Sequence, residues 1–230
     1  MKMLIVCSLL LGLSAMADDK PLLGVPGKLV YENALADKPE GWTTPKGDWK
    51  SADGALCGAE KPEDKHGAVI RMNIKLSDFI IQYEVKMDGA KVTSLSINDP
   101  KGHLARITVA PTSVRVAKDD HDHEGPDKAV TFGALKADVK PGTWHTVRME
   151  MVGNEMLGKL DDVIACGSHE QLSTAKSNIG LTVAGQTASF RNLKIWEATP
   201  NPDWATVKAT LPKGEPLPPP RPAAKKPEAK

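Results

Sequence analysis

The stretch Phe79-Ile80-Ile81-Gln82-Tyr83-Glu84-Val85-Lys86-Met87 decides the fold class. In an extended chain successive side chains point to opposite faces, so Phe79, Ile81, Tyr83, Val85 and Met87 share one face. A helix would scatter the same residues around its circumference. The stretch therefore reads as a half-buried β-strand. Thr146-Val147-Arg148-Met149-Glu150-Met151 repeats the pattern: Val147, Met149 and Met151 face in, and Arg148 and Glu150 face out.

Working outward, short runs of β-formers recur at a spacing of about ten residues, with turn residues between them. Candidate strands are Trp49–Ser51 with Ala55–Gly58, Ala68–Met72, Thr93–Asn98, Ala105–Ala110, Ser113–Lys118, Trp144–Val152, Glu155–Leu160, Asn178–Val183 and Ser189–Glu197. Asp53-Gly54, Asp88-Gly89 and Gly153-Asn154 suit tight reversals, and Pro141-Gly142 marks a further turn. Asp161-Asp162 reads as a hairpin turn. Helical signals are confined to His169–Thr174 and Asp203–Lys208. The expected fold is all-β, an antiparallel jelly-roll sandwich of two sheets.

Both ends depart from this pattern. Met1–Ala17 has the form of a secretory signal peptide: Lys2 supplies positive charge, Met3–Leu13 is apolar, and Ala15-Met16-Ala17 offers small residues for cleavage. The apolar run falls short of the roughly 20 residues that span a bilayer, so no transmembrane segment is expected. Export, to the periplasm or outside the cell, follows as an expectation. Residues 18–28 form a lead-in and 29–198 the sandwich. Residues 199–230 form a Pro- and Lys-rich tail whose composition offers little apolar surface to offset ordering. Such a basic tail is expected to be disordered, touching envelope polymers weakly at most.

Net charge is +1 at pH 7, so no bulk field draws nucleic acid or a membrane surface. Beyond the leader the cysteines are Cys57 and Cys166. They are either a bridge, if export and geometry allow it, or two small apolar residues. The chain contains no P-loop, GxGxxG, GxSxG or HExxH pattern.

Two clusters carry candidate chemistry. In Asp119-Asp120-His121-Asp122-His123-Glu124-Gly125, an extended backbone puts His121 and His123 on one side and Asp120, Asp122 and Glu124 on the other. Asp120, His121, Asp122 and His123 are the candidate ligands of a divalent metal. His121, His123 and Glu124 are candidates for proton transfer. A solvated acidic loop ending at Gly125-Pro126 is the alternative. The second cluster runs from Asn98-Asp99-Pro100 through His103 to Arg106. Arg106 alternates with Ala105 and Ile107 and so projects from the face opposite them. There it would bond sugar hydroxyls or a carboxylate, with Asp99 and His103 as further substrate contacts, or form a cross-strand ion pair. Trp144 reads as packing and His66, beside Glu63-Asp64-Lys65, as part of a charged loop.

Several pieces together resemble one family. They are Gly41-Trp42, Gly47-Asp48-Trp49 followed by Asp53-Gly54-Ala55-Leu56, Asp78-Phe79, Pro141-Gly142-Thr143-Trp144-His145-Thr146-Val147, Asn178-Ile179-Gly180-Leu181 and Ser189-Phe190-Arg191-Asn192-Leu193-Lys194-Ile195. From about Leu29 to Glu197 the chain resembles the 3-keto-disaccharide hydrolase domain, a concanavalin-like jelly roll. The resemblance implies a glycoside substrate oxidised at C3, cleaved by base-assisted elimination and then hydration. The family's Asn-Ser-Gly segment is absent, and Lys91–Asn98 stands in its place. Where the family's next strand often carries Glu and Asp, this chain has His103-Leu104-Ala105-Arg106. The expected function is thus an exported 3-keto-glycoside hydrolase. A non-catalytic carbohydrate-binding or structural envelope protein on the same fold is the alternative.

Overall fold

The computed structural model describes residues 20–122 and 124–218; the expected signal peptide, His123 and residues 219–230 lie outside the described residues. Among the described residues the strands are β1 (Gly24–Asn33), β2 (Thr43–Lys46), β3 (Asp48–Ala52), β4 (Ala55–Ala59), β5 (Ala68–Leu76), β6 (Phe79–Asp99), β7 (Gly102–Ala110), β8 (Ser113–Lys118), β9 (Val130–Lys136), β10 (Trp144–Val152), β11 (Glu155–Leu160), β12 (Val163–Ser168) and β13 (Lys176–Pro200). One α-helix, α1 (Trp204–Thr210), follows. A 3-10 turn, Glu170–Ser173, begins at His169, whose ring accepts from Gln171 N.

Two long strands build the sandwich. β6 and β13 pair antiparallel from Asn98↔Asn178 to Phe79↔Glu197, and each serves both layers. In the first layer, the Phe79–Lys86 part of β6 lies between β10 and β13, with β11 and β12 outside β10 and β1 outside β13. In the second, the Thr93–Asp99 part of β6 lies between β7 and β13. β8 and β9 continue that layer beyond β7, and β5 and β2 beyond β13. β4 and β3 attach to β13 near the crossover, at Thr187–Phe190.

Asp88-Gly89 is therefore not the reversal expected from sequence. Gly89 (φ 84°) lies in β6 where β13 carries Gly185 (φ 93°), and the register shifts on both sides of Gly185. Positive φ without steric cost lets both strands bend together while the ladder continues. By contrast, Asp53 (φ 51°) and Gly54 (φ 69°) close the β3–β4 hairpin, as their dipeptide predicts. Gly153-Asn154 closes β10–β11.

The core fills the space between the layers. Phe79, Ile81, Tyr83 and Val85 are fully buried against Leu95, Ile97, Ile107 and Val116 of the opposite layer. The approach is close: a Cβ on Gly158 of β11 would lie 2.5 Å from Val116 Cγ2. Cys57 and Cys166 are separate free thiols, and Cys57 Sγ rests 3.3 Å from Ser189 Oγ.

The outward face of the first layer is covered too, which corrects the reading of Arg148 and Glu150 as solvent-facing. They are 1% and 0% exposed. Glu150 Oε2 accepts from Leu23 N (2.8 Å) and Gly24 N (3.0 Å), its Oε1 accepts from Arg148 Nε (2.9 Å), and an Arg148 terminal nitrogen donates to Lys20 O (3.0 Å). A small apolar cluster of Leu23, Val152, Leu157 and Trp204 seals this pair beneath the N-terminal lead-in and α1. Of the segment expected to be a disordered tail, residues 199–218 are ordered onto the sandwich, and 219–230 lie outside the described residues. After α1 the chain reaches β9, where Lys136 N donates to Glu215 O and Leu217 N to Ala134 O, each at 2.8 Å. The missing backbone partner of an edge strand is what this segment supplies.

Candidate functional site

The face of the second layer turned away from the core is polar. Its rows follow from the register. Arg71, Gly180, Ser96 and Arg106 stand side by side across β5, β13, β6 and β7. The next row toward the crossover is Val69, Thr182, Ser94 and Thr108, and the row on the other side brings Asn178, Asn98 and His103 together. Ser94, Ser96 and Asn98 are at most 8% exposed, so they form the floor of a groove. The floor is satisfied from within: Ser94 Oγ lies 2.5 Å from Thr182 Oγ1, and Ser96 Oγ donates to Gly180 O at 3.2 Å. The groove has a volume of about 370 Å³, with His66, Arg71, His103 and Arg106 among its walls. An adjoining cleft of about 310 Å³ shares Arg71 and His103 and adds Asp99, Lys101 and His121.

His103 reaches this face through a bulge. Arg106 pairs with Ser96 and Ala105 with Ile97, but Asn98 pairs with His103, so Leu104 is the extra residue. Strict alternation would place His103 with Ala105 in the core. The bulge buries Leu104 and Ala105 in succession and turns His103 outward beside Asn98. Asn98 Nδ2 donates to Asn178 Oδ1 (2.7 Å), which makes Asn98 Oδ1 the acceptor for His103 Nδ1 at 3.1 Å. The proton on Nδ1 leaves Nε2 as the basic nitrogen. His66 has the same tautomer, since Nδ1 lies 2.8 Å from the carbonyl oxygen of Gly67.

Arg106 projects from the face expected of it. Its Nε lies 3.1 Å from Asp119 Oδ2, a charge contact that lacks the alignment of a hydrogen bond. Asp99 is not positioned as a substrate contact. Its Oδ1 accepts from Lys101 N (2.8 Å) and Gly102 N (3.0 Å), and its Oδ2 from Thr174 Oγ1 (3.2 Å) and His121 Nε2 (3.0 Å). This buried carboxylate ties the β6–β7 turn to its neighbours.

His121 is likewise held on both sides. Beyond Asp99, its Nδ1 lies 3.5 Å from Asp127 Oδ2, which also accepts from His121 N at 3.1 Å. The ammonium of buried Lys118 beside Asp127 lowers that carboxyl to a pKa of about 2. Both ring nitrogens of His121 thus face carboxylates, and neither is left to take a proton from a bound sugar. Of the expected metal set, His123 lies outside the described residues. Asp122 Oδ1 closes a turn onto Glu124 N at 2.9 Å, and among the described residues no three His, Cys, Asp or Glu side chains converge as metal ligands. Glu124 is exposed and outside both clefts.

Other candidates are occupied. Arg191 covers Trp144, its guanidinium carbon 4.1 Å from the ring centroid. Asp161 does more than turn a hairpin: its Oδ2 lies 2.6 Å from His145 Nδ1. A further depression of about 540 Å³ beside Leu76 and Pro100 has two of its charges engaged, Lys176 Nζ on Leu172 O and Asp78 Oδ1 on Gly153 N. Sequence reasoning passed over Arg71 and set His66 aside. The available signal was Ser94-Leu95-Ser96-Ile97-Asn98, a strand whose outer face bears small polar groups instead of solvating charges.

The profile of the family described as the 3-keto-alpha-glucoside-1,2-lyase-like domain matches residues 34–196. No curated protein matches the chain. Among solved structures, the carbohydrate binding module CBM66 from Bacillus subtilis is similar at a TM-score of 0.54 and 20% identity, covering 68% of this chain and 96% of that one. The laminarinase from Flavobacterium sp. UMI-01 is similar at 0.55 and 13%, covering 74% and 100%. A Bacillus subtilis protein with a galectin-like fold gives 0.59 and 12%, covering 78% and 100%. These likenesses are of fold.

Proposed function

Residues 34–196 make this chain a member of the 3-keto-alpha-glucoside-1,2-lyase-like domain family, and on that premise we propose that its polar groove binds a glycoside oxidised at C3 and cleaves it by elimination. The observation that carries this reading is the groove's lining: two imidazoles and two guanidiniums over a floor of serine and threonine hydroxyls, with no carboxylate. Ordinary glycoside hydrolysis needs a pair of carboxyl groups flanking the bond, and the groove has none to offer.

Elimination needs other groups. The C3 ketone acidifies the C2 proton. His103 Nε2 takes that proton, and the electron pair forms an enediolate whose C3 oxygen the Arg106 guanidinium stabilises. The C1–O bond then breaks, its electrons leave with the glycosidic oxygen, and that oxygen is protonated as the alcohol. Water adds at C1 of the enone and restores the 3-keto sugar. Asn98 and Asn178 act as positioning residues that fix the His103 tautomer. The leader-like Met1–Ala17 segment makes export, to periplasm or medium, part of the same proposal.

The test is release of alcohol and 3-keto sugar from a 3-keto-glucoside by the purified protein, with Arg106→Gln expected to lower kcat by about a hundredfold or more. A second reading, a non-catalytic carbohydrate-binding module, rests on the completeness of the floor's internal hydrogen bonds. Saturable sugar binding without turnover would select it.

A further inference from the structure

Arg71 stands apart from the other arginines. Among the described residues Arg106 has Asp119, Arg115 has Thr131, Arg148 has Glu150 and Arg191 has Glu84, whereas Arg71 has no hydrogen bond or ion pair. It is exposed at the groove wall and also lines the adjoining cleft. Its stem lies along the floor because its neighbour in the row is Gly180, where an added Cβ would meet Arg71 Cγ at 3.5 Å and Ser96 Oγ at 2.8 Å. The groove lining carries no Asp or Glu to neutralise this charge.

Such a group donates to sugar hydroxyls, but its full charge and fork geometry are matched only by an oxyanion. Hydroxyls are served by the serines and threonines of the floor. A planar five-donor fork with no intramolecular partner matches a planar or tetrahedral oxyanion, which it binds through two parallel charge-assisted bonds. We infer that the groove takes a sugar bearing an anionic substituent, a carboxylate or a sulfate ester, and that Arg71 reads it. The inference rests on the reading of this groove as the sugar site.

The test is calorimetric titration of the full chain with three probes oxidised at C3: a methyl 3-keto-glucoside, the corresponding glucuronide and the corresponding 6-sulfate. The expected result is that one or both anionic probes bind about tenfold or more tightly than the neutral one. The tighter of the two names the substituent. Arg71→Gln abolishes the preference, and Arg71→Lys, which keeps the charge without the fork, retains part of it. Arg115→Gln removes the same charge elsewhere on this layer and leaves the preference intact. Equal affinity for neutral and anionic probes, or a preference surviving Arg71→Gln, would overturn the inference and leave the groove as a neutral-sugar site. Binding of no probe would overturn the sugar-site reading and this inference with it.

Discussion

His121 Nε2 lies 3.0 Å from Asp99 Oδ2, and this contact fastens the 119–128 loop to the β6–β7 turn beside the groove. It makes His121 a positioning residue. His121→Asn should lower stability by about 1 kcal/mol in urea melts and reduce turnover by no more than about tenfold. The pH of half-maximal kcat should stay where it is in the wild type, because the proposed base is His103.

Asp127 sets an acid limit on the same loop. Lys118 holds its carboxyl down to about 2 in the folded protein. A lowered folded-state value contributes stability above the ordinary carboxyl range, and protonation removes it as pH falls from about 4 to about 2. Hydrogen exchange of residues 119–128 should therefore accelerate across that window. Asp127→Asn should exchange rapidly at every pH.

Glu150 is the buried charge on which the outer cover of the first layer depends. Glu150→Ala removes the carboxylate that balances the Arg148 charge in a dry site and frees three backbone N–H groups at Leu22, Leu23 and Gly24. The expected loss is about 3–5 kcal/mol by chemical denaturation. Removing residues 18–24 exposes the same pair and should destabilise in the same direction.

Tyr83 offers the opposite case. Its hydroxyl is fully buried without a hydrogen-bond partner, and burial pushes its pKa well above the ordinary phenol range. Tyr83→Phe removes an unsatisfied group at constant shape, so thermal stability should hold or rise by up to about 1 kcal/mol.

Alternation was enough to read the sandwich. The odd residues of Phe79–Met87 are core residues because one face of that strand meets the opposite layer and nothing else. Alternation fails where a strand meets something beyond the two layers. Arg148 and Glu150 are spaced as solvent-facing residues, and only the return of Lys20–Gly24 across them makes them buried. Local turn chemistry fails at Gly89 for a similar reason: whether a glycine reverses or bends a strand depends on the partner strand, here the Gly185–Thr187 part of β13, nearly a hundred residues away. The site was half legible. Arg106 was visible from its alternation with Ala105 and Ile107. His103 was named as a substrate contact, but its placement on the outer face beside Asn98 depends on the bulge at Leu104, and a one-residue insertion in a ladder leaves no mark in the sequence. In the acid- and imidazole-rich stretch after β8, Asp119, His121 and Asp122 are engaged in contacts that hold the loop, with Arg106, with Asp99 and Asp127, and with Glu124 N.

The central claim is that chemistry occurs in the polar groove with His103 as base. The direct measurement is NMR of C2 proton exchange and alcohol release from a 3-keto-glucoside in deuterium oxide, with the wild type, His103→Asn and His121→Asn compared. The account predicts exchange and release by the wild type, loss of both by about a hundredfold or more in His103→Asn, and retention within about tenfold in His121→Asn. Undiminished exchange in His103→Asn, or its loss in His121→Asn alone, would contradict it.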